Sequence, residues 1–127
     1  MAYLLDTHIL LWWFDASPKL SKEVEAVIRS GVDRILVSSV STWEIAIKRA
    51  LGKLRVPDEI FGLVPRDGFL ELPITIKHTR ALLQLPAHHQ DPFDRLLIAQ
   101  AQSEELVLIT SDHLFQKYNV PVLLNRP

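Results

Sequence analysis

Apolar residues along this chain follow two alternating patterns, short continuous runs and longer stretches with helical spacing. Short runs rich in Val, Ile and Leu predict buried strands at residues 3–5, 34–37, 69–72, 106–110 and 122–124. Helical spacing predicts helices at residues 7–14, 21–30, 41–51, 59–64, 75–85, 91–105 and 112–118. This alternation predicts an α/β fold, a mostly parallel sheet of four to five strands covered by helices on both faces.

The length and charge of the chain limit what kind of protein this can be. A length of 127 residues is that of one domain, so residues 1–127 are expected to fold as a single unit. The formal net charge of -1 provides no overall basic field, so affinity for nucleic acid would have to come from local patches or bound cations.

The chain contains no cysteine, and its apolar start is interrupted by polar residues. The lack of cysteine excludes disulfides, thiolate zinc sites and a cysteine nucleophile, and fits a reducing compartment, with the cytoplasm as the default. The stretch from residue 2 to residue 14 contains Asp6 and His8 and is shorter than the roughly 20 residues of a bilayer span. We therefore expect no membrane association.

Acidic residues occur where predicted strands end or predicted helices begin. Asp6 follows the first strand, Asp112 follows the fourth, and Glu44 and Asp94 lie in two apolar helices. The carboxyl ends of parallel strands meet at one edge of a sheet, which is where ligands bind in such folds. The sequence therefore predicts that these four acids converge on a metal pocket.

Each acid also has a purely structural interpretation. The two acids at strand ends could cap the helices that follow them. Glu44 completes a capping-box pattern that begins at Ser41, and it also lies four residues before Lys48. Asp91 is placed as the N-cap of the helix in which Asp94 occupies the first turn. A shared site is favoured over four separate caps because all four acids are predicted at the same edge of the sheet.

The chemistry of clustered carboxylates favours a hard divalent cation. Two carboxylates about 5 Å apart repel by roughly 3 kcal/mol at an effective dielectric near 20, and a cation relieves that repulsion. Oxygen donors favour Mg²⁺ or Mn²⁺ over Zn²⁺, and one or two such ions can activate water and stabilise a leaving oxygen. The histidines match no zinc spacing, so surface or supporting positions are predicted for His8, His88, His89 and His113.

Four segments carry a family resemblance. They are LDTH at residues 5–8, WEIAIK at 43–48, DPFDRLLIAQA at 91–101 and TSD at 110–112. In this combination and order they resemble the PIN-domain ribonucleases, and among those the VapC-type toxins of bacterial toxin–antitoxin pairs. The resemblance covers essentially the whole chain.

The resemblance implies roles for individual residues. It places the metal-binding acids of the family at Asp6, Glu44 and Asp94, and the fourth, more variable acid at Asp112. Supporting positions are implied for Thr110, Thr7 and Asp91, with the role of Asp91 left open between ligand and cap. Contacts to RNA or to an antitoxin could come from the basic residues Lys48, Arg49, Lys53 and Arg55, for which a solvated helix end is the alternative.

The resemblance also implies an activity and partners. The expected protein is a metal-dependent endoribonuclease that hydrolyses RNA phosphodiester bonds, inhibits translation and growth, and is bound by a VapB-like antitoxin. The large aromatic group formed by Trp12, Trp13 and Phe14 is interpreted as a contact with another chain, in a homodimer, or alternatively as a corner of the core.

Two other classes of function stay open on the sequence alone. A binding module could keep this fold without the nuclease chemistry. A phosphate-transfer domain would also place acids at the edge of a parallel sheet, but His8 stands where the dehalogenase pattern needs a second aspartate, and no lysine closes the last strand as a receiver domain would require.

Overall fold

A computed structural model describes residues 1–126, which form one five-stranded sheet. The strands are β1 (Ala2–Leu5), β2 (Arg34–Ser38), β3 (Leu70–Leu72), β4 (Val107–Thr110) and β5 (Val122–Leu124). They lie side by side in the order β3-β2-β1-β4-β5, and neighbouring strands are parallel throughout. The predicted α/β class and parallel sheet are confirmed.

Helices connect the strands. They are α1 (Thr7–Phe14), α2 (Lys22–Arg29), α3 (Ser39–Ala50), α4 (Glu59–Arg66), α5 (Ile76–Ala81) and α6 (Pro92–Glu104). Short 3₁₀ helices span Leu82–Gln84 and His113–Lys117. The helix predicted over residues 75–85 is therefore α5 followed by a 3₁₀ turn. The helix predicted over residues 112–118 is 3₁₀ because its backbone bonds join residues three apart, as from Phe115 N–H to the Asp112 carbonyl.

Alternate residues of the central strands are buried on opposite faces of the sheet. In β1, Leu5 belongs to the apolar cluster that includes Ile9 and Ile45, whereas Leu4 belongs to the cluster that includes Leu97 and Phe115. Burial on both faces explains why these strands appear in the sequence as continuous apolar runs. The predicted covering of both faces by helices is confirmed.

The start of α3 differs from the prediction. The Ser38 hydroxyl accepts a hydrogen bond from Val40 N–H at 2.9 Å, so the helix is capped at Ser38 and starts at Ser39. The predicted capping box from Ser41 to Glu44 is wrong, since β2 continues to Ser38 in register with Leu72 of β3 and the helix follows immediately. Glu44 therefore lies in the second turn of α3, where its side chain is not needed as a cap.

Three neighbouring strands bring chemistry-bearing residues to one edge of the sheet. Because β2, β1 and β4 are adjacent and parallel, the carboxyl ends of these strands lie side by side. Asp6 follows β1, α3 with Glu44 follows β2, and Thr110 ends β4. Among residues 1–126, no helix is both long and apolar enough to cross a membrane.

Candidate metal centre

Asp6 is buried at the end of the central strand, with only 4% of the residue exposed. Its Oδ2 accepts a hydrogen bond of 2.6 Å from the Thr110 hydroxyl on β4, and its backbone N–H donates to the Ile109 carbonyl at 2.9 Å. Asp6 occupies the N-cap position of α1 but its side chain makes no capping hydrogen bond. The carboxylate is thus oriented by the neighbouring strand, and the cap interpretation of Asp6 is wrong.

Glu44 is equally buried, at 4% exposed, and has a partner on each oxygen. Its Oε1 accepts a hydrogen bond of 2.8 Å from the Thr7 hydroxyl, and its Oε2 lies 2.5 Å from the Lys48 ammonium. The Thr7 hydroxyl is also 3.0 Å from the Ser41 hydroxyl. The predicted pairing of Glu44 with Lys48 is confirmed. Because buried charges are tolerated when paired and hydrogen-bonded, these contacts allow a carboxylate to remain inside the protein.

Asp91 and Asp94 open α6 in different ways. Asp91 Oδ1 accepts hydrogen bonds from Phe93 N–H at 2.8 Å and from Asp94 N–H at 3.0 Å, as predicted for an N-cap. This leaves the Asp94 carboxylate in the first turn, with its side chain 19% exposed. Asp91 therefore holds the backbone that presents Asp94.

His89 joins Asp94 to Asp112. Its Nε2 lies 3.1 Å from Asp94 Oδ2 and 2.9 Å from Asp112 Oδ2, while Asp112 Oδ1 accepts a hydrogen bond of 2.9 Å from Leu114 N–H. One possible ligand atom from each of His89, Asp94 and Asp112 lies within 4.8 Å of the others. His89 was predicted to be a surface or supporting residue, and the structure places it between two of the four acids.

The hydrogen bonds around His89 determine which ring nitrogen carries the proton. Nδ1 accepts a hydrogen bond of 3.2 Å from Asp91 N–H, so in the neutral ring the proton belongs on Nε2. An Nε2–H donates to carboxylates and cannot offer a lone pair to an ion. His89 is thus suited to hold Asp94 and Asp112 in place and unsuited to coordinate a metal through Nε2.

Burial and mutual repulsion raise the pKa values of two of the acids. Burial, followed by the charges of Asp6, Asp91, Glu44 and Asp112, raises the pKa of Asp94 from its usual 3.8 to about 8. Burial also raises the pKa of Asp6, against the opposing effect of the Thr110 hydroxyl. Repulsion between clustered carboxylates was expected at this site, but the larger cause of the raised pKa values is the removal of these carboxyl groups from water.

These carboxyl groups fit the requirements of a hard divalent cation. The acids whose charges act on Asp94 supply only oxygen donors, and each carboxylate has about four lone-pair positions, of which the hydrogen bonds above use one or two. A cation would offset both the burial cost and the repulsion that raise the pKa of Asp94. The candidate ligands are Asp6, Glu44, Asp94 and Asp112.

The structure divides the predicted basic cluster into two parts. Lys48 and Lys53 line a small cavity of about 150 Å³ together with Thr7, His8 and Glu44. The hydrogen bond to Glu44 is the main reason that the pKa of Lys48 is raised.

The other two basic residues, Arg49 and Arg55, line a different cavity. Arg49 is paired with Asp58, and both Arg49 and Arg55 line a separate surface cavity of about 590 Å³. Of the four predicted contact residues, Lys48 and Lys53 are therefore the ones placed beside a candidate metal ligand.

A buried polar network that the sequence interpretation missed connects the helices carrying Glu44 and Asp94. Gln100 of α6 has its Oε1 2.5 Å from the hydroxyl of Ser38, the N-cap of α3, and its Nε2 3.3 Å from His78 Nδ1. The other ring nitrogen of His78 is 2.8 Å from Glu104 Oε2. The only sign of this network in the sequence was the presence of polar residues on the buried face of α6. Their hydrogen-bond partners are distant in the chain and could not be identified from it.

The aromatic group near the end of α1 is half-buried and packs against the core. Trp13 donates a hydrogen bond of 2.9 Å to Asp67, and its ring lies 6.0 Å from that of Phe69. Trp12 and Phe14 pack against the same apolar cluster. A role in joining two chains stays a prediction.

Comparison with known proteins agrees with this fold. Residues 3–121 match the family model of the PIN domain. No curated protein gives a significant match to the chain.

Among solved structures, VapBC2 from Rickettsia felis, bound to a promoter DNA fragment, has a chain 18% identical, with a TM-score of 0.72 over 99% of this chain and 100% of that one. A chain of VapBC-1 from nontypeable Haemophilus influenzae is 21% identical, with a TM-score of 0.70 over 98% of both chains. DNA-bound VapBC from Salmonella typhimurium has a chain 18% identical, with a TM-score of 0.71 over 97% of both chains. These similarities establish a shared fold, and the family match extends over most of the sequence. This chain belongs to the PIN domain family.

Proposed function

We propose that this protein is a metal-dependent endoribonuclease that hydrolyses RNA phosphodiester bonds. The observation that carries the proposal is the raised pKa of Asp94. Burial and the charges of four neighbouring acids raise it to about 8. A group of acids held at such a cost in burial and repulsion is expected to have a function that requires it, and cation binding is a function that offsets both costs.

The proposed ligands of one or two Mg²⁺ or Mn²⁺ ions are Asp6, Glu44, Asp94 and Asp112. Such ions supply an activated water and neutralise the charge that develops on the phosphate oxygens during hydrolysis. The protein would contribute the positions of the ligands: Thr110 orients Asp6, Thr7 orients Glu44, and His89 holds the two more exposed acids.

The donor set favours Mg²⁺ or Mn²⁺ over Zn²⁺. Zn²⁺ sites usually include nitrogen or sulfur ligands, and this chain has no cysteine. The Nε2 atom of His89, which lies nearest to the acids, is assigned as a hydrogen-bond donor by the contact of Nδ1 with Asp91 N–H. Hard oxygen ligands therefore dominate the proposed site.

The proposed biological role is that of a VapC-type toxin. The support is the fold, which is shared with chains from VapBC structures across 97% or more of this chain. In this proposal residues 1–127 act as a single nuclease domain in the cytoplasm, cleavage of RNA inhibits translation and growth, and a VapB-like antitoxin blocks the acidic pocket or removes its metal.

A homodimer is part of the same proposal. The half-buried aromatic residues Trp12, Trp13 and Phe14 provide apolar area at the surface that a second copy could cover. Sedimentation at tens of micromolar tests this directly, and a strict monomer at that concentration would contradict the dimer.

The test of the nuclease proposal is cleavage of total RNA by the purified chain in Mg²⁺, in Mn²⁺ and in chelator. The matched control is Asp58→Asn, which removes an acid that is 82% exposed and paired with Arg49, outside the proposed site. Cleavage that requires the metal and persists in Asp58→Asn is the expected result. A wild-type protein that binds RNA without cutting it in either metal would instead identify a binding module of the PIN fold.

A further inference from the structure

An aromatic pair, formed by an exposed tryptophan and a half-buried phenylalanine, lies next in sequence to two of the candidate metal ligands. Trp43 of α3 and Phe93 of α6 make a T-shaped contact with ring centroids 5.1 Å apart and an interplanar angle of 73°. Trp43 nevertheless remains 52% exposed, which is unusual for the largest apolar side chain. A tryptophan this open is available to stack against a flat partner.

The position of this pair follows from that of the acids. Trp43 immediately precedes Glu44, and Phe93 immediately precedes Asp94. Consecutive Cα atoms are about 3.8 Å apart, so the aromatic contact between α3 and α6 lies one residue from the point where the two helices present their acids.

Helical periodicity places charge and aromatic surface on neighbouring rows of α3. Glu44 and Lys48 are four residues apart and form one row, along which the Lys48 ammonium lies 2.5 Å from the Glu44 carboxylate. Trp43 and Ile47 form the adjacent row. The helix thus offers cationic and acidic groups along one line and apolar surface along the next. A nucleotide has a matching arrangement, with a charged phosphate beside a flat base.

We propose that Trp43, supported by Phe93, is a stacking platform for a base of single-stranded RNA next to the phosphodiester bond that is cut. This inference rests on the proposed nuclease function. Unpaired bases are commonly bound by stacking on aromatic side chains, and the interaction tolerates different bases because each has a flat aromatic face. The platform would secure one nucleotide while the phosphate next to it reaches the acidic residues and Lys48.

The experiment compares Trp43→Phe, Trp43→Leu and Trp43→Ala with wild type. Phenylalanine keeps an aromatic face, whereas leucine keeps apolar volume without one. The probe is a fluorescein-labelled 12-nucleotide oligoadenylate, whose binding is followed by anisotropy with Ca²⁺ in place of Mg²⁺ and whose integrity is verified on a gel. A 12-unit ribose-phosphate chain without bases provides a probe with the same backbone charge.

The expected result is selective loss of base binding. Trp43→Ala and Trp43→Leu weaken binding of oligoadenylate by about 5- to 150-fold, which is the range for loss of one stacked base. Trp43→Phe retains most of the affinity, and all four proteins bind the chain without bases equally. Because Trp43 is largely exposed, the three variants are expected to melt close to wild type.

Three outcomes would overturn the platform. In the first, Trp43→Leu binds oligoadenylate as well as Trp43→Phe does. In the second, the replacements weaken binding of the chain without bases as much as that of oligoadenylate. In the third, Trp43→Ala binds oligoadenylate normally but sediments as a monomer where wild type sediments as a dimer. That result would make the aromatic pair a contact between subunits.

The proposed stacking platform and the proposed nuclease activity can be refuted independently of each other. A wild-type protein that binds oligoadenylate through Trp43 but cuts no RNA in Mg²⁺ or Mn²⁺ would refute the nuclease and keep the platform. A wild-type protein that cuts RNA, with oligoadenylate binding unaffected in all three Trp43 variants, would refute the platform and keep the nuclease.

Discussion

The four candidate metal ligands form two pairs that differ in exposure. The inner pair is Asp6 and Glu44, each 4% exposed. The outer pair is Asp94 and Asp112, whose side chains are 19% and 36% exposed. Threonine hydroxyls from neighbouring elements orient both members of the inner pair. His89 holds both members of the outer pair, at the start of α6 and after β4, and Leu114 N–H also donates to Asp112. One half of the site is therefore part of the packed core, and the other half borders solvent.

For the proposed metal centre, this difference suggests an order of assembly in which two acids are positioned before a cation binds. The inner carboxylates are fixed by hydrogen bonds that form as the sheet folds, so their positions do not depend on an ion. In the outer pair, burial first and then the charges of the neighbouring acids raise the pKa of Asp94 to about 8, so this carboxyl group holds its proton to unusually high pH. We infer that the hydrogen-bonded inner pair sets the geometry and that one acid of each pair, Asp6 and Asp94, carries the raised pKa that a bound cation would lower.

The largest expected effect is on catalysis. Asp6→Asn and Asp94→Asn each remove a proposed ligand while preserving side-chain volume, so RNA cleavage should fall by more than about 100-fold. Growth inhibition on expression should disappear with it. Activity assays with folding checked by circular dichroism test this expectation, and Asp6→Asn protein that cuts RNA at the wild-type rate in Mg²⁺ would remove Asp6 from the ligand set.

The next effect is a pH dependence of the folding stability of the metal-free protein. The folded pKa of Asp94, about 8, lies above the unfolded value of 3.8, so between these values the folded protein holds a proton that the unfolded chain has lost. The free energy of unfolding should therefore fall as pH rises, by up to about 1.4 kcal/mol per pH unit. The contribution of Asp94 to the free energy of unfolding is fully present below pH 4, and it is lost as the pH approaches 8.

Denaturant unfolding between pH 5 and pH 8 in chelator measures this dependence. Asp94→Asn cannot lose a proton, so its profile should be flatter than that of wild type. Asp58→Asn is the control and should keep the wild-type slope. Identical slopes for wild type and Asp94→Asn would show that Asp94 does not hold a proton in the folded state.

Removal of a hydroxyl donor tests whether the inner pair depends on the core. Thr110→Val keeps the shape of the side chain but leaves Asp6 Oδ2 without its 2.6 Å hydrogen bond, which should cost about 1–3 kcal/mol of folding stability. Thr7→Val should cost less, because Glu44 keeps the contact with Lys48. Urea unfolding in chelator gives both values. A larger loss for Thr7→Val would reverse the assignment of which acid depends more on its threonine.

The outer pair is tested through His89. Replacement by alanine removes the donor shared by Asp94 and Asp112, and Mn²⁺ affinity is expected to fall by about 10- to 100-fold, as is typical for a residue that orients metal ligands. His89→Gln, which retains an N–H donor, should recover part of the affinity. His88→Ala is the control, since the His88 ring packs edge-to-face against Tyr118 instead. Calorimetric titration with Mn²⁺ that finds His89→Ala equal to wild type would contradict the supporting role.

The smallest expected effect is thermal stabilisation by the cation itself. At about ten times its dissociation constant, an ion that binds only the folded state adds roughly 1.4 kcal/mol, a shift of about 3 to 7 °C for a domain of this size. Melts at neutral pH with chelator, Mg²⁺, Mn²⁺ and Ca²⁺ measure it in wild type and Asp94→Asn. If millimolar Mg²⁺ and Mn²⁺ leave wild type unchanged, or stabilise the variant equally, the acids lose their proposed role as ligands.

Predictions of individual helix ends succeeded or failed according to the range of the interactions involved. Asp91 was correctly predicted as an N-cap because its hydrogen bonds go to residues two and three positions further along the chain. The capping box at Glu44 was wrong because the pairing of β2 with β3 extends the strand to Ser38 and moves the start of α3. Local patterns compete with strand pairing, and strand pairing determined the boundary here.

The sequence by itself determined the alternation of strands and helices and the presence of an acid beside several strand ends. Both can be identified from residues close together in the chain, namely from apolar periodicity and from the acids that follow the apolar runs. Only the tertiary structure decided which atoms of distant residues meet the acids. Thr110 and Asp6 are 104 positions apart, and His89 and Asp112 are 23 apart. Contacts over such separations arise from the order of strands in the sheet and the packing of helices on it, which no local pattern encodes.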